Sequence, residues 1–264
     1  MTVSRRALLG NGVALAVIAA CSTSAPPSSP TASGSPPTRG TTSPRASAEP
    51  ATTAAGPSPF PSASGPATDI SRGAGIRPEV ALTFHGAGDA LLARQALAAL
   101  AAADARATVF AVGTWLAGQP GLAREYLAAG HELGNHTWSH PTLSELGRAA
   151  ARIEIERCRD TLMSVTGSPG AHFRSSGGQR STPLIRELAD AAGYRACVSY
   201  DIDSLDWTDP GPSAVRRNTG AAAPGSIVSL HLGHPGTVAA LPAILNDLRG
   251  RGLHLVTVTE LLRP

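Results

Sequence analysis

Gly134-Asn135-His136-Thr137-Trp138-Ser139-His140-Pro141 carries two imidazoles four residues apart. On a helical turn this spacing stacks both rings on one face, within reach of a single ion. Neutral imidazole is the commonest metal ligand. Two of them with one further donor leave open the position that a catalytic zinc keeps. An isolated pair at this spacing reads more simply as two satisfied histidines. Here a strand ending in a polar cluster precedes the pair and further polar clusters follow it, and that order favours a metal site.

Working outward from the pair, apolar runs alternate with helical patterns. Upstream, residues 80–84 read as a buried strand broken by Gly86 and Gly88, and Asp89 precedes a helical run over 90–103. Residues 108–112 form a second strand closed by Gly113, and a helix over 122–129 leads through Gly130 into a short strand near 132–133. Downstream, the longest helix is expected over 143–165, stopped by Gly167, and a strand over 171–174 runs into a Ser/Gly loop. Pro183 suits the first turn of the next helix, which Gly193 ends. Strands over 196–200 and 226–231, a helix over 238–248 and a strand over 253–258 complete the chain. Such alternation argues for an α/β fold with a parallel sheet, open or closed into a barrel. The polar clusters fall after the strands, where such folds place their sites.

The two ends of the chain differ in kind. Ser4-Arg5-Arg6-Ala7-Leu8-Leu9 resembles a twin-arginine export signal, and Ile18-Ala19-Ala20-Cys21 resembles a bacterial lipobox. Residues 1–21 are thus expected to be a signal peptide cut before a lipidated Cys21, which holds an exported protein at the outer face of the cytoplasmic membrane. Residues 22–71 are Ser, Thr, Pro, Ala and Gly with almost no large apolar side chains. Such a segment cannot offset its ordering entropy by burial, so a disordered tether is expected. Residues 72–264 then form one catalytic domain with room for a sizeable core.

The chain carries 22 basic and 19 acidic residues, and every basic residue is Arg. Lysine-based Schiff-base or general-base chemistry is therefore excluded. Four arginines (Arg5, Arg6, Arg39 and Arg45) lie in the leader and tether, so the domain is near neutral and nothing points to nucleic acid. Cys158 and Cys197 are the cysteines of the domain, and two buried free thiols are expected ahead of a disulfide.

Four further clusters line up with the histidine pair. They are Thr83 to Asp89, Arg174 with its Ser/Gly loop, Asp203-Ser204-Leu205-Asp206-Trp207, and Leu230-His231. In this order the chain resembles the polysaccharide deacetylase family, carbohydrate esterases with a NodB-type domain. The resemblance covers essentially the whole domain, including the strand at Arg106-Ala107-Thr108-Val109-Phe110 and the closing helix and strand. It implies a distorted (β/α) barrel that binds a divalent ion, zinc first, and removes acetyl groups from an N-acetylated polysaccharide such as peptidoglycan or a chitin-like glycan. His136 and His140 match the family's metal ligands, His231 its general acid, and Asp206 the carboxylate that orients that acid. Histidine titrates near neutrality and suits the acid role. Loop caps are the lesser alternative for Asp203 and Asp206, and Trp207 is readable as core or as a platform for a sugar ring.

The departures concern the first and third motifs. The family's Thr-Phe-Asp-Asp-Gly supplies a base and a metal ligand, but His85 and Gly86 stand at those positions. His85 is then expected as the third nitrogen ligand, with Asp89 as the nearest carboxylate to act as base. The reverse assignment and a plain helix N-cap at Asp89 both stay open. The Arg-x-Pro-x-Gly motif with its aromatic becomes Arg174-Ser175-Ser176-Gly177-Gly178-Gln179. Arg174 is expected to hold an acid through a bidentate pair, a structural ion pair being the alternative. Two classes of function follow: a metal-dependent deacetylase, or a non-catalytic lipoprotein that binds sugar or a partner on the same fold. An O-acetyl esterase differs from the first only in its leaving group.

Overall fold

The computed structural model describes residues 65–264, so the leader, Cys21 and most of the expected tether lie outside the described residues. The domain starts earlier than composition suggests. Thr68–Ile70 forms β1, paired in parallel with Ala196–Val198, and Ala67 just before it is buried. Small and polar residues hid a strand whose partner, not its own apolar content, fixes it.

The core is laid around β2 (Glu79–Gly86), whose Val80, Ala81, Leu82, Thr83 and Phe84 are all fully buried. A strand covered on both faces reads as a continuous apolar run, as residues 80–84 do. Each buried Leu, Val or Phe here is worth roughly 1.5–3 kcal/mol in transfer free energy. The elements that follow are α1 (Ala90–Ala102), β3 (Ala107–Ala111), α2 (Gly113–Gly118), α3 (Pro120–Ala128) and β4 (Glu132–Asn135). Then come α4 (Arg148–Thr166), α5 (Pro183–Ala191), β5 (Ala196–Val198), β6 (Ile202–Asp203) and α6 (Pro212–Thr219). The chain closes with β7 (Ile227–His231), α7 (Pro235–Gly250), β8 (His254–Leu255) and α8 (Val258–Leu261).

All strand pairings are parallel, in the order β4-β3-β2-β7-β6, with β8 on the start of β2. Phe173 bridges Asn135 on one side and Cys197 on the other, which carries the ladder from β4 to β5 and on to β1. Arg72, beyond β1, bridges back to Ser226 at the foot of β7. The ring is thus a distorted (β/α) barrel, closed by single bridges where an even barrel would have ladders. The expected strand over 171–174 is reduced to that one bridge at Phe173.

Several expected elements change at their ends. The helix expected over 143–165 is a short turn at Leu143–Glu145 followed by α4, because the chain leaves the helical path at Leu146 and Gly147. Gly167, in the left-handed region at φ 78°, ends α4 as expected. The strand expected over 253–258 stops at Leu255. Thr257 and Glu260 form a reciprocal capping box that starts α8 instead. β6, α2 and α6 were not anticipated. Cys158 and Cys197 are free and buried. Among the described residues, no helix is long and apolar enough to cross a membrane.

Candidate functional site

The carboxyl ends of β2, β4, β6 and β7 converge on one cavity of about 520 Å³, lined by His85, His140, Gln179, Tyr200, Asp203, Trp207, His231 and His234 among others. A groove of about 580 Å³ between α2 and α4 is slightly larger but holds no histidine or strand end. The chemistry lies in the first cavity.

Register explains the convergence. His85 of β2 pairs with His231 of β7, and their ring centroids stand 4.1 Å apart. β4 is one strand beyond β3, and its last residue delivers the chain directly into His136. His136 and His140 do not lie on a helical turn. Their loop leaves β4 with Thr137 and His140 at φ 67° and 62°, a left-handed excursion that folds His140 back toward His136. Their Nε2 atoms are 3.1 Å apart, and His136 Nε2 is 2.9 Å from His85 Nδ1. His136 Nδ1 donates to the carbonyl of Arg174 at 2.9 Å, which leaves Nε2 with its lone pair toward the other two rings.

His85, His136 and His140 each bring a ring nitrogen within 4.8 Å of the others. Ligands about 2.0–2.1 Å from a tetrahedral zinc stand roughly 3.3 Å apart, close to the 2.9 and 3.1 Å that separate His136 from His85 and His140. Burial first, then the neighbouring imidazoles and the Arg174 guanidinium, hold His85 well below the usual histidine range. His136 is likewise lowered, chiefly by burial and by His140, and His140 by burial and His231. Three neutral imidazoles facing one point fit a divalent ion, and zinc tolerates such an all-nitrogen set.

His231 stands beside this cluster in a different role. Its Nδ1 is 2.7 Å from Asp206 Oδ1, its backbone N–H donates to Oδ2 at 2.7 Å, and Thr237 donates to the same oxygen. Asp206 is fully buried. Burial alone would raise its carboxyl, but the hydrogen bonds and charge of His231 and the hydroxyl of Thr237 outweigh this and hold it below the usual range. It is therefore a fixed anion that orients the imidazole and leaves Nε2 for chemistry. Asp203 accepts from Leu205 N–H in a local turn, the capping reading, while still lining the cavity. Trp207 is 55 % exposed at the rim, the place for a platform and not for core.

Two expectations are corrected. Asp89 is not among the residues that line the cavity: it is exposed, its carboxylate accepts from Leu91 N–H at 2.6 Å, and it caps α1. The capping alternative holds, because the chain turns into α1 directly after Gly88. That glycine, at φ 93°, packs against the backbone of Gly233 so closely that a Cβ would lie 2.4 Å from Gly233 Cα. Among the described residues Arg174 holds no acid. Its Nε and Nη2 donate to the carbonyls of Val198 and Ser199 at 2.9 and 3.0 Å, and its guanidinium lies over Phe110 at 4.1 Å. Among the described residues Nη1 has no partner, and burial pulls the group down to about 9. With no carboxylate at position 85, the arginine braces the end of β5 and presents its own carbonyl to His136.

Sequence reasoning also missed residues that the fold brings to the site. Ser229 reaches His85 Nε2 at 3.2 Å, Glu154 grips Ser139, and Asp209 pairs with His234. The last pair had a signal: Asp209 follows Asp206 by three residues, as His234 follows His231.

Comparisons with known proteins bear on the family. The profile of a family described as polysaccharide deacetylase matches residues 72–197. A chitooligosaccharide deacetylase of Sinorhizobium fredii is 33 % identical over 190 residues, covering 66 % of this chain and 87 % of its own. A peptidoglycan N-acetylglucosamine deacetylase of Bacillus cereus is 34 % identical over 189 residues, covering 70 % and 88 %. Among solved structures, a CE4 family pseudoenzyme of Bacillus anthracis superposes with TM-score 0.70 at 25 % identity, covering 74 % of this chain and 69 % of that one.

Proposed function

This chain belongs to the polysaccharide deacetylase family, and we propose that it removes acetyl groups from an N-acetylated amino-sugar polymer with a divalent ion, zinc first, on His85, His136 and His140. The observation that carries this reading is the convergence of three neutral imidazoles beside the His231–Asp206 pair. Relatives named for chitooligosaccharide and for peptidoglycan support the N-acetylated glycan as substrate class.

An ion bound there supplies Lewis acidity toward the amide carbonyl and the means to activate water at neutral pH. The chain's own residues do the rest. Asp206 fixes Nδ1 of His231, so Nε2 is the atom that meets the substrate. Amide hydrolysis needs a proton removed from water and one delivered to the leaving amine. With Asp89 spent on α1, His231 is the group of the cluster left to carry both transfers. Trp207 and Tyr200 at the rim offer aromatic faces to the sugar.

Two observations favour the non-catalytic reading: the first motif has lost both acids, and a pseudoenzyme stands among the structural neighbours. Metal content measured with acetate release from an N-acetylglucosamine oligomer separates the two. Metal with turnover supports the deacetylase, and bound glycan without turnover supports the alternative.

We propose in addition that the chain is exported and lipidated at Cys21, on the strength of Ser4-Arg5-Arg6 and Ile18 to Cys21. Cys21→Ser is then expected to release the protein or leave its leader uncut. Membrane retention with unchanged processing would refute the anchor.

A further inference from the structure

The turn after β6 and the loop after β7 are tied together twice. Asp206 holds His231, and three residues further along each segment Asp209 Oδ1 holds His234 Nδ1 at 2.8 Å. The hydrolysis described above uses only the first pair. The two imidazoles stand 5.7 Å apart, nearly perpendicular, and both line the cavity. The turn that carries the carboxylates is strained: Leu205 and Asp209 have φ of 54° and 51°, where side chains other than glycine stay only when the surroundings hold them. Asp209 is 69 % exposed and the His234 side chain 27 %, and of the two only His234 lines the cavity.

We propose that His234, held by Asp209, contacts the glycan at the cavity mouth, hydrogen-bonding a hydroxyl or amide of the sugar next to the one that loses its acetyl group. The inference rests on the reading of the cavity as a glycan deacetylase site. One ring nitrogen is committed to Asp209, so Nε2 is the polar atom left for a ligand, and where Nδ1 donates to the carboxylate Nε2 accepts. A surface ion pair alone would contribute little and would have no reason to point its imidazole inward. At about 520 Å³ the cavity exceeds what an acetyl group fills, and Trp207 on the same rim gives a second sugar a face to lie on. His234 and Trp207 thus bracket the rim with one directional and one apolar contact, the usual division of labour in small-molecule sites.

The test is kinetic and calorimetric, on the metal-loaded full chain with N-acetylglucosamine tetramer as probe. His234→Ala is expected to raise KM about tenfold, the loss of one well-placed hydrogen bond, with kcat changed less than about twofold and Tm unchanged. His234→Gln, which keeps an acceptor, is expected to recover part of the loss. The same tetramer titrated calorimetrically should bind His234→Ala correspondingly more weakly. A fall in kcat with KM unchanged would overturn the contact and make His234 a support for His231. No change in either constant would reduce the pair to a surface ion pair. If the wild type binds tetramer but never turns it over, the deacetylase reading fails, and the calorimetric comparison still decides the contact.

Discussion

The replacement of an acidic first motif by His85 changes what the residues around it do. An imidazole between His136 and His231 keeps a nitrogen on the cluster but supplies no negative charge. The arginine that would balance such a charge turns to main-chain carbonyls, with one nitrogen orphaned. His85→Ala is therefore expected to weaken metal binding steeply while the apolar strands keep the fold, as metal titration beside circular dichroism would show. Unchanged affinity would remove His85 from the ligand set. Asp89→Asn should leave metal and turnover untouched, because Asn caps about as well as Asp, whereas Asp89→Ala costs about 1 kcal/mol of stability. A loss of rate in Asp89→Asn, without loss of stability, would return that carboxylate to the chemistry. His85 and His136 also make a pH prediction. Their folded pKa values are lowered, so the unfolded chain binds more protons below its own value near 6.5. Stability of the metal-free protein is thus fully present above about pH 6.5 and falls as pH drops below it. Asp206, also lowered, adds a second loss only at strongly acid pH, below about 3.9. Urea midpoints that stay flat between neutrality and pH 5 would contradict the histidine contribution.

At the scale of elements, the loop between β4 and α4 is held by α4, which grips it from one face. Glu154 accepts from the N–H and hydroxyl of Ser139 at 2.8 and 2.9 Å, and Arg157, one turn on, lies 3.8 Å over the ring of Trp138. Asn135 ties the other end of the loop to Ile155 O and accepts from Thr137 N–H. This grip offsets the cost of two left-handed residues and keeps His140 facing His136. Partners behind metal ligands are typically worth 10–100-fold in affinity. Glu154→Ala should then weaken zinc binding about tenfold, with a small change in the Tm of the metal-free protein; equal affinity would make the clamp merely structural. The same loop marks where the sequence was legible and where it was not. Apolar runs were readable because burial on both faces writes them, so β3 and β7 were placed to within one residue, while β2 runs on through His85 to Gly86, two residues past the expected end. The four-residue spacing of His136 and His140 suggested a helical turn, but partners from α4 and two positive φ values achieve the same proximity. Spacing gives proximity along the chain and not the path between. Asp89 takes the cap that the sequence left open, a contact only two residues along the chain, whereas the partners of Arg174 are set by tertiary contacts that a motif position cannot supply.

For the whole molecule, the ring of parallel strands is complete only with β1, which lies in a stretch whose composition resembles a linker. Ala67 is buried beside Ile185, Leu188 and Tyr194, and Thr68–Ile70 pairs with β5 behind Arg174. A chain beginning at Arg72 should therefore unfold at lower denaturant than one beginning at Gly65, with the histidine site weakened too. Equal midpoints would mean that β1 adds nothing to closure. The domain so closed brings residues from β2, β4, β6 and β7 to one end, as strand ends of (β/α) barrels do. The central claim is that His85, His136 and His140 hold the ion through which this barrel deacetylates glycan. Its most direct test is acetate release from an N-acetylglucosamine oligomer, followed while zinc is added to the metal-free protein. The account predicts release that climbs to a plateau at one equivalent of zinc per chain and is absent in His136→Ala. Release that needs no metal, or none at any zinc level, would contradict it.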